Sequence, residues 1–111
     1  MDKDSSIKIQ IDKAAPILAA VSNGKRMGII KMLLSGEHNV GDLAIKVGLS
    51  QSATSQHLRL LKLAGVLLQR KDAQTRYCSI NPDMTSVVER LIWIAEEGGS
   101  SVDPKKAHRR P

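Results

Sequence analysis

Hydrophobic residues recur every three to four positions in five segments of this chain, which predicts five helices. Between the fourth and fifth helices, Leu67–Arg70 and Arg76–Ile80 are rich in strand-forming residues and predict a hairpin with a loop over 71–75. The predicted fold class is mainly α with a small β-hairpin, in the order α-α-α-α-β-β-α. The five helices are predicted over Asp12–Ser22, Gly24–Ser35, Val40–Val47, the stretch from Ser50 to Gly65, and Asp83–Glu97.

Local end signals support the second, third and fourth helices. Asn23 and Ser50 are residue types that cap a helix N-terminus with a side-chain oxygen. Gly48 supplies a turn that needs a positive φ, and Ala44, four residues earlier, is small enough to let two helices cross closely. This spacing of small residue, glycine and apolar Leu49 predicts a helix-turn-helix unit.

The fourth helix has two contrasting faces. Its apolar face carries Ala53, Thr54, His57, Leu58 and Leu61, and its polar face carries Gln51, Ser52, Ser55, Gln56, Arg59 and Lys62. Gln and Arg offer paired hydrogen-bonding groups that match the edges of adenine and guanine in the DNA major groove, and Ser fits either base. The helix contains no acid that would repel phosphates. These features predict a helix that binds double-stranded DNA.

The hairpin that follows has the position of a wing. It would place Arg70, Lys71, Gln74 and Arg76 beside the fourth helix, within reach of flanking phosphates or the minor groove. The formal net charge of +6 and the pI near 9.8 fit a polyanionic partner, although about half of that charge lies in the C-terminal tail.

Length and composition limit the alternatives. The 111 residues support one domain at 12–97, with an N-terminal arm at 1–11 and a disordered basic tail at 98–111. Tyr77 and Trp93 are the only Phe, Tyr or Trp residues, too few to stack single-stranded nucleic acid. No run is apolar enough to span a membrane. A single cysteine, Cys78, suits a reducing compartment, so a bacterial cytoplasmic, nucleoid-associated location is expected. No nucleophile with a neighbouring base is visible, and no enzyme activity is expected.

Taken together, the motifs resemble the ArsR/SmtB family of dimeric winged helix-turn-helix transcription regulators. The resemblance rests on NGKRMGIIKML from Asn23, VGDLAIKVGLSQSATSQHLRLLKLAGVL from Val40, and RKDAQTRYCSI from Arg70. The pairing of SQSATSQHL with DAQTRY is most similar to the NolR and HlyU subgroup of that family. The resemblance covers about residues 14–95.

The resemblance implies roles for individual residues. The expected base readers are Gln51, Ser52, Ser55 and Gln56. With the charge pattern, the expected backbone or flanking contacts are Ser50, His57, Arg59, Lys62, Arg70, Lys71, Gln74, Thr75 and Arg76. Family members form homodimers through the first and last helices, which here implies an interface containing Ile17, Leu18, Val21, Leu91, Ile92 and Trp93. Such a dimer reads an inverted repeat with half-sites about 10 base pairs apart.

The chain departs from the family's metal-sensing members. The segment Asn39–Leu43 lacks their cysteine pair, the last helix lacks histidine, and Cys78 has no second cysteine. No metal and no cofactor are therefore predicted. Three residues keep two interpretations each. Cys78 is a small strand residue or an intersubunit redox switch, Trp93 an interface or a ligand-pocket residue, and His57 a partner within the domain or a phosphate contact.

The sequence thus predicts a homodimeric, sequence-specific regulator of transcription, with a repressor favoured. An activator that displaces another DNA-bound protein is the first alternative. A protein-interaction module without specific DNA binding is the second. The effector, the operator and the role of the tail stay open.

Overall fold

The computed structural model describes residues 14–98, which contain five helices and a three-stranded antiparallel sheet. The predicted arm, and the tail beyond residue 98, lie outside the described residues. Residues 14–21 are the described part of α1, and the elements that follow are α2 (Gly24–Leu34), β1 (His38–Asn39), α3 (Val40–Val47), α4 (Gln51–Leu63), β2 (Leu67–Asp72), β3 (Thr75–Ile80), a 3₁₀ turn (Pro82–Met84), α5 (Thr85–Trp93) and a π turn (Ile94–Gly98).

Helices α2, α3 and α4 each begin directly after a residue whose side chain caps the helix N-terminus. The Asn23 side chain accepts hydrogen bonds from two backbone N–H groups in the first turn of α2, as predicted. Ser50 caps α4 by accepting from the N–H of Ala53, and Asn39, which the sequence analysis did not single out, caps α3 by accepting from the N–H of Asp42. Gly48 has a φ of 72°, which confirms the positive φ expected there.

The hairpin is longer than predicted. Pairing continues through Lys71 opposite Arg76 and Asp72 opposite Thr75, so the expected five-residue loop is a two-residue turn. Ala73 occupies that turn with a positive φ of 54°. The polar residues near the tip suggested a loop, but an exposed hairpin tip needs only backbone pairing, not apolar side chains.

A third strand was not predicted. β1 is two residues long and pairs with β3, giving the strand order β1-β3-β2. A segment this short has no periodicity of its own, so its pairing depends on the chain that lies beside it. It anchors the hairpin to the segment between α2 and α3.

The core is aliphatic, as the scarcity of rings indicated. Helical spacing along α2 predicts that Met27, Ile30, Leu33 and Leu34 face the core. Ile30 and Leu33 are buried, and Ile29, which this spacing does not predict, is fully buried beside them. Met27 and Leu34 are only partly buried against this core. The remaining buried apolar residues are Ala20, Val21, Val40, Leu43, Ala44, Leu58, Leu61, Val66, Leu67, Cys78, Val88 and Ile92.

The last predicted helix, Asp83–Glu97, is divided into three parts. A 3₁₀ turn begins at Pro82, where the Asn81 side chain accepts from the N–H of Asp83. α5 follows and widens into the π turn, which Lys31 of α2 contacts through an ion pair with Glu96. Helical spacing predicts that Val87 lies on the apolar side of this helix, yet it is 43% exposed.

Candidate nucleic-acid interface

α3 and α4 are joined by a tight turn around Gly48. The N–H of Leu49 donates to the carbonyl of Ala44 at 3.0 Å, which closes the turn at the end of α3. Ala44 is buried, in keeping with the small residue that a close crossing of helices requires. The two helices therefore have a defined angle before any side chain of α4 is considered.

The buried face of α4 fixes its rotation. Thr54, Leu58 and Leu61 are fully buried, and the Thr54 hydroxyl donates to the carbonyl of Ser50 at 2.8 Å. A rotation of α4 would expose two fully buried leucines, which is unfavourable. The face that remains is consequently held in one orientation toward solvent.

That outer face presents hydrogen-bonding groups. Ser55 is half-buried, and the first turn of α4 has no acidic residue. A helix N-terminus without a carboxylate keeps its partial positive charge available to an anion. The exposed polar residues of the helix are Gln51, Ser52, Gln56, Arg59 and Lys62, all of them predicted for this face.

The β2–β3 hairpin, here called the wing, turns one of its faces toward α4. Alternation along the strands places Lys71 and its partner Arg76 on the same face as buried Cys78. The guanidinium of Arg76 donates to the Ser55 hydroxyl at 3.3 Å. This hydrogen bond is long and its acceptor is uncharged, so the cation can exchange it for an anionic acceptor.

Two grooves flank Arg76. The first, about 590 Å³, lies between the wing and the second half of α4, and its lining residues are Ser55, Arg59, Lys62, Leu63, Gln69 and Arg76. The second, about 260 Å³ and mostly polar, lies between the wing tip and the N-termini of α3 and α4, and its lining residues are Asn39, Val40, Gly41, Gln51, Gln74, Thr75 and Arg76. The structure thus brings Gln74, Thr75 and Arg76 to grooves that border α4, whereas Lys71 lines neither groove.

Arg70 is placed differently from the other basic wing residues. It lies on the opposite face of the hairpin, where its guanidinium donates to both carboxylate oxygens of Glu37 at 2.8 and 2.7 Å. The guanidinium also stacks over the Tyr77 ring, 4.3 Å from its centroid. The hydrogen bonds from Arg70 lower the pKa of Glu37, and the same bonds raise the pKa of Arg70. No pattern in the sequence indicated Glu37 as its partner.

His57 lies at the boundary between the two faces of α4 and is partly buried. Its Nδ1 atom is 3.2 Å from a guanidinium nitrogen of Arg26 in α2. The same Arg26 side chain donates to the carbonyl of Ala20 in α1. His57 therefore has a partner within the domain.

The segment that builds this surface matches a known protein family. A model of a bacterial regulatory protein domain, the arsR family, matches residues 23–67, which contain α2, α3, α4 and the start of the wing. The chain is also 50% identical over 90 residues to the nodulation protein NolR of Rhizobium meliloti, a match that covers 81% of this chain and 72% of NolR.

The chain belongs to the ArsR family. It is 38% identical over 92 residues to the transcriptional activator HlyU of Vibrio cholerae, covering 83% of this chain and 80% of HlyU. The crystal structure of NolR from Sinorhizobium fredii superimposes with a TM-score of 0.70 at 38% identity, covering 86% of this chain and 94% of that one. The resemblance to the NolR and HlyU subgroup is confirmed, and the fold is the winged helix-turn-helix of DNA-binding transcription regulators.

Cys78 differs from the exposed thiols typical of redox sites. It is fully buried in β3, between His38 of β1 and Gln69 of β2, and the Gln69 amide donates to its sulfur at 3.5 Å. Burial raises the pKa of the Cys78 thiol, which therefore stays protonated at neutral pH. Within residues 14–98, no group of three His, Cys, Asp or Glu side chains lies close enough together to hold a metal ion. In the same range, no helix has the length and apolar content to cross a membrane.

The residues expected at an ArsR-type dimer interface fall into two groups. Leu18 of α1 and Trp93 of α5 are 50% and 58% exposed. Val21 and Ile92 are instead buried within the protomer, and Ile17 and Leu91 are partly buried against the same core. Val87 and Ile94 of the last helical region add exposed apolar surface that the expected set did not include.

Proposed function

We propose that two copies of this chain form a homodimer that binds an inverted repeat in double-stranded DNA and represses transcription there. The observation that carries the proposal is the outer face of α4. This face is exposed, free of acids and locked in rotation by the buried face of the same helix. Such a surface matches the hydrogen-bonding pattern and the negative charge of the major groove. The proposed site of action is the nucleoid in the bacterial cytoplasm.

The contacts divide into base reading and backbone binding. The first half of α4 would enter the major groove, because its polar side chains are short and lie nearest the helix-turn-helix turn. We assign base reading to Gln51, Ser52, Ser55 and Gln56. Backbone or flanking contacts are assigned to Ser50, Arg59, Lys62, Lys71, Gln74, Thr75 and Arg76. Within this division, the bond with Arg26 favours a domain role for His57 over a phosphate contact.

The dimer would form through α1 and α5, where Leu18 and Trp93 expose large apolar groups. A two-fold axis through this surface presents the two α4 helices to successive major grooves on one side of the duplex. The operator would then contain half-sites about 10 base pairs apart.

Repression follows from occupancy alone, since a dimer bound across a promoter excludes other proteins from the same DNA. The alternative is activation by displacement of a different DNA-bound protein. The 38% identity to the transcriptional activator HlyU supports this alternative. Both outcomes require the same sequence-specific binding. A transcription assay on the selected operator, with and without the protein, separates them.

The test of base reading compares Gln56→Ala with Lys62→Gln on the same helix. An operator selected from genomic fragments and a random duplex are titrated with each variant by fluorescence anisotropy. Loss of Gln56 should cost about 1 to 3 kcal/mol on the operator and little on the random duplex, because only the operator presents its base. Loss of Lys62 should weaken both alike, because every duplex presents phosphates.

Equal losses on both duplexes for Gln56→Ala would contradict its base-reading role. If the unmodified protein shows no preference for any genomic fragment over random duplex at physiological salt, the proposed function itself fails.

A further inference from the structure

We propose that Glu37 and Arg70 are positioning residues that hold the wing at the angle at which Arg76 meets α4. Arg70 then acts within the protein and does not contact phosphate, although the sequence grouped it with the DNA-binding cations. This inference rests on the proposed function, since it concerns how the wing is presented to DNA. We call Glu37, Arg70 and Tyr77 the wing clamp.

The geometry of the clamp restricts Arg70 on two sides. Its Nε and Nη2 atoms donate to the two oxygens of Glu37 at 2.8 and 2.7 Å, a paired arrangement that fixes the plane of the guanidinium. The Tyr77 ring lies beneath the same group at 4.3 Å. A side chain held in this way on the outer face cannot also reach the groove between the wing and α4.

The clamp spans all three strands of the sheet. Tyr77 of β3 pairs with Asn39 of β1 on one side and with Arg70 of β2 on the other. Glu37 immediately precedes β1, on the segment that leaves α2. The clamp therefore joins the outer strand β2 to the helical domain across a sheet in which β1 contributes only two residues.

The position of Arg76 depends on how the wing clamp connects the wing to the helical domain. Arg76 neighbours Tyr77 in β3 but points to the other face, toward Ser55 of α4. A two-stranded ribbon is twisted and weakly restrained by itself. A change in the angle of the hairpin therefore moves Arg76 relative to α4 more than it moves the base of the wing.

Charge separates the clamp from the binding surface. The carboxylate of Glu37 neutralises Arg70 through an ion pair at 2.7 Å. The hydrogen bonds from Arg70 lower the pKa of Glu37, so acid breaks this pair less readily than it would protonate a free glutamate. Among residues 14–98, no carboxylate pairs with Lys71 or Arg76. Cations without a carboxylate partner release counterions when they meet phosphate, whereas an ion-paired arginine contributes much less to that release.

The test measures operator affinity against salt for Arg70→Gln, with Lys71→Gln as the matched control from the adjacent position on the other face. Arg70→Gln should weaken operator binding about fivefold with an unchanged slope of log affinity against log salt. Lys71→Gln should lower the magnitude of that slope by about one. A slope that falls equally for Arg70→Gln would show a phosphate contact and overturn the proposal.

The conservative replacement Arg70→Lys adds a second discrimination. Lysine keeps the charge but cannot form the paired hydrogen bonds to Glu37, so it should bind the operator about as weakly as Arg70→Gln. Affinity equal to that of the unmodified protein would overturn the clamp. Glu37→Gln should lose affinity as well, and a gain would contradict a positioning role. In a protein that already carries Arg76→Gln, adding Arg70→Gln should cause little further loss of operator affinity. If the two replacements instead weaken binding independently, the clamp does not act through Arg76.

A measurement without DNA keeps the clamp separate from the proposed function. In a proton–nitrogen correlation spectrum, the Nε–H of Arg70 should be visible at neutral pH and should weaken or shift in Glu37→Gln. An unchanged signal means that the clamp does not form in solution. If the clamp forms but no operator can be selected, the failure lies in the proposed function.

Discussion

Arg26 connects three helices through one side chain. It donates to the carbonyl of Ala20 in α1 and faces Nδ1 of His57 in α4 at 3.2 Å. A guanidinium has only donors, so Nδ1 must accept and the imidazole must carry its proton on Nε2. His57 therefore ties α4 to α2, and through Arg26 to α1.

This tautomer predicts different effects for two replacements of His57. Asparagine places its carbonyl oxygen close to the position of Nδ1 and should keep the bond, whereas glutamine places it near Nε2. His57→Gln should lower the free energy of unfolding by about 1 kcal/mol more than His57→Asn, because the Arg26 donor loses its acceptor. Urea denaturation measures the difference. Equal stabilities would contradict acceptance at Nδ1.

The positions of the basic wing residues could not be predicted from residue type alone. Arg70, Lys71 and Arg76 look alike in sequence, yet the register places Arg70 on the other face with Glu37. Their residue types predict only positive charges that could bind DNA phosphates. The location of the Arg70 charge depends on strand pairing and on a carboxylate 33 residues away.

Among the elements, the turn between α3 and α4 was predicted most completely. The cap Ser50 and the left-handed Gly48 were both predicted, because each depends on contacts within five residues. The wing was predicted less well, because its length depends on pairing between strands and on β1, which has no local signal.

Replacing each of two glycines by alanine tests how backbone conformation stabilises the turn after α3 and the helix α2. Gly48→Ala should destabilise the protein by about 1 kcal/mol, since its φ of 72° is unfavourable for alanine although space is open around it. Gly28→Ala should instead stabilise α2 by about 0.5 to 1 kcal/mol, because the added Cβ meets only Val47 at an ordinary 3.9 Å. Thermal unfolding of both variants checks the signs. Destabilisation by Gly28→Ala or neutrality of Gly48→Ala would contradict this account.

For the whole molecule, the exposed apolar groups on α1 and α5 form the surface that we propose for the dimer. Leu18 and Trp93 expose half or more of their area on helices that pack against one domain core. Buried Val21 and Ile92 serve that core first, so the dimer would depend mainly on the exposed members of the predicted set. This division was not visible in the sequence, where all six residues share the same apolar character.

The dimer predicts a dependence on concentration. Trp93→Glu should sediment as a monomer at micromolar concentration and lose the rise of melting temperature with concentration that the unmodified protein should show. Ile45→Glu, at an apolar residue 80% exposed on α3, is the control and should remain a dimer. A dimer that persists in Trp93→Glu, or an unmodified protein that is already monomeric, would refute the proposed interface.

Local sequence signals predicted the order of the helices, the caps Asn23 and Ser50, the turn at Gly48 and the polar face of α4, because each depends on residues within one or two helical turns. The tertiary structure decided the third strand, the full length of the wing and the separation of Arg70 from the other wing cations. It also decided the partner of His57 and which apolar residues stay exposed. These features depend on contacts between segments far apart in the chain, and periodicity carries information only about a segment's own faces.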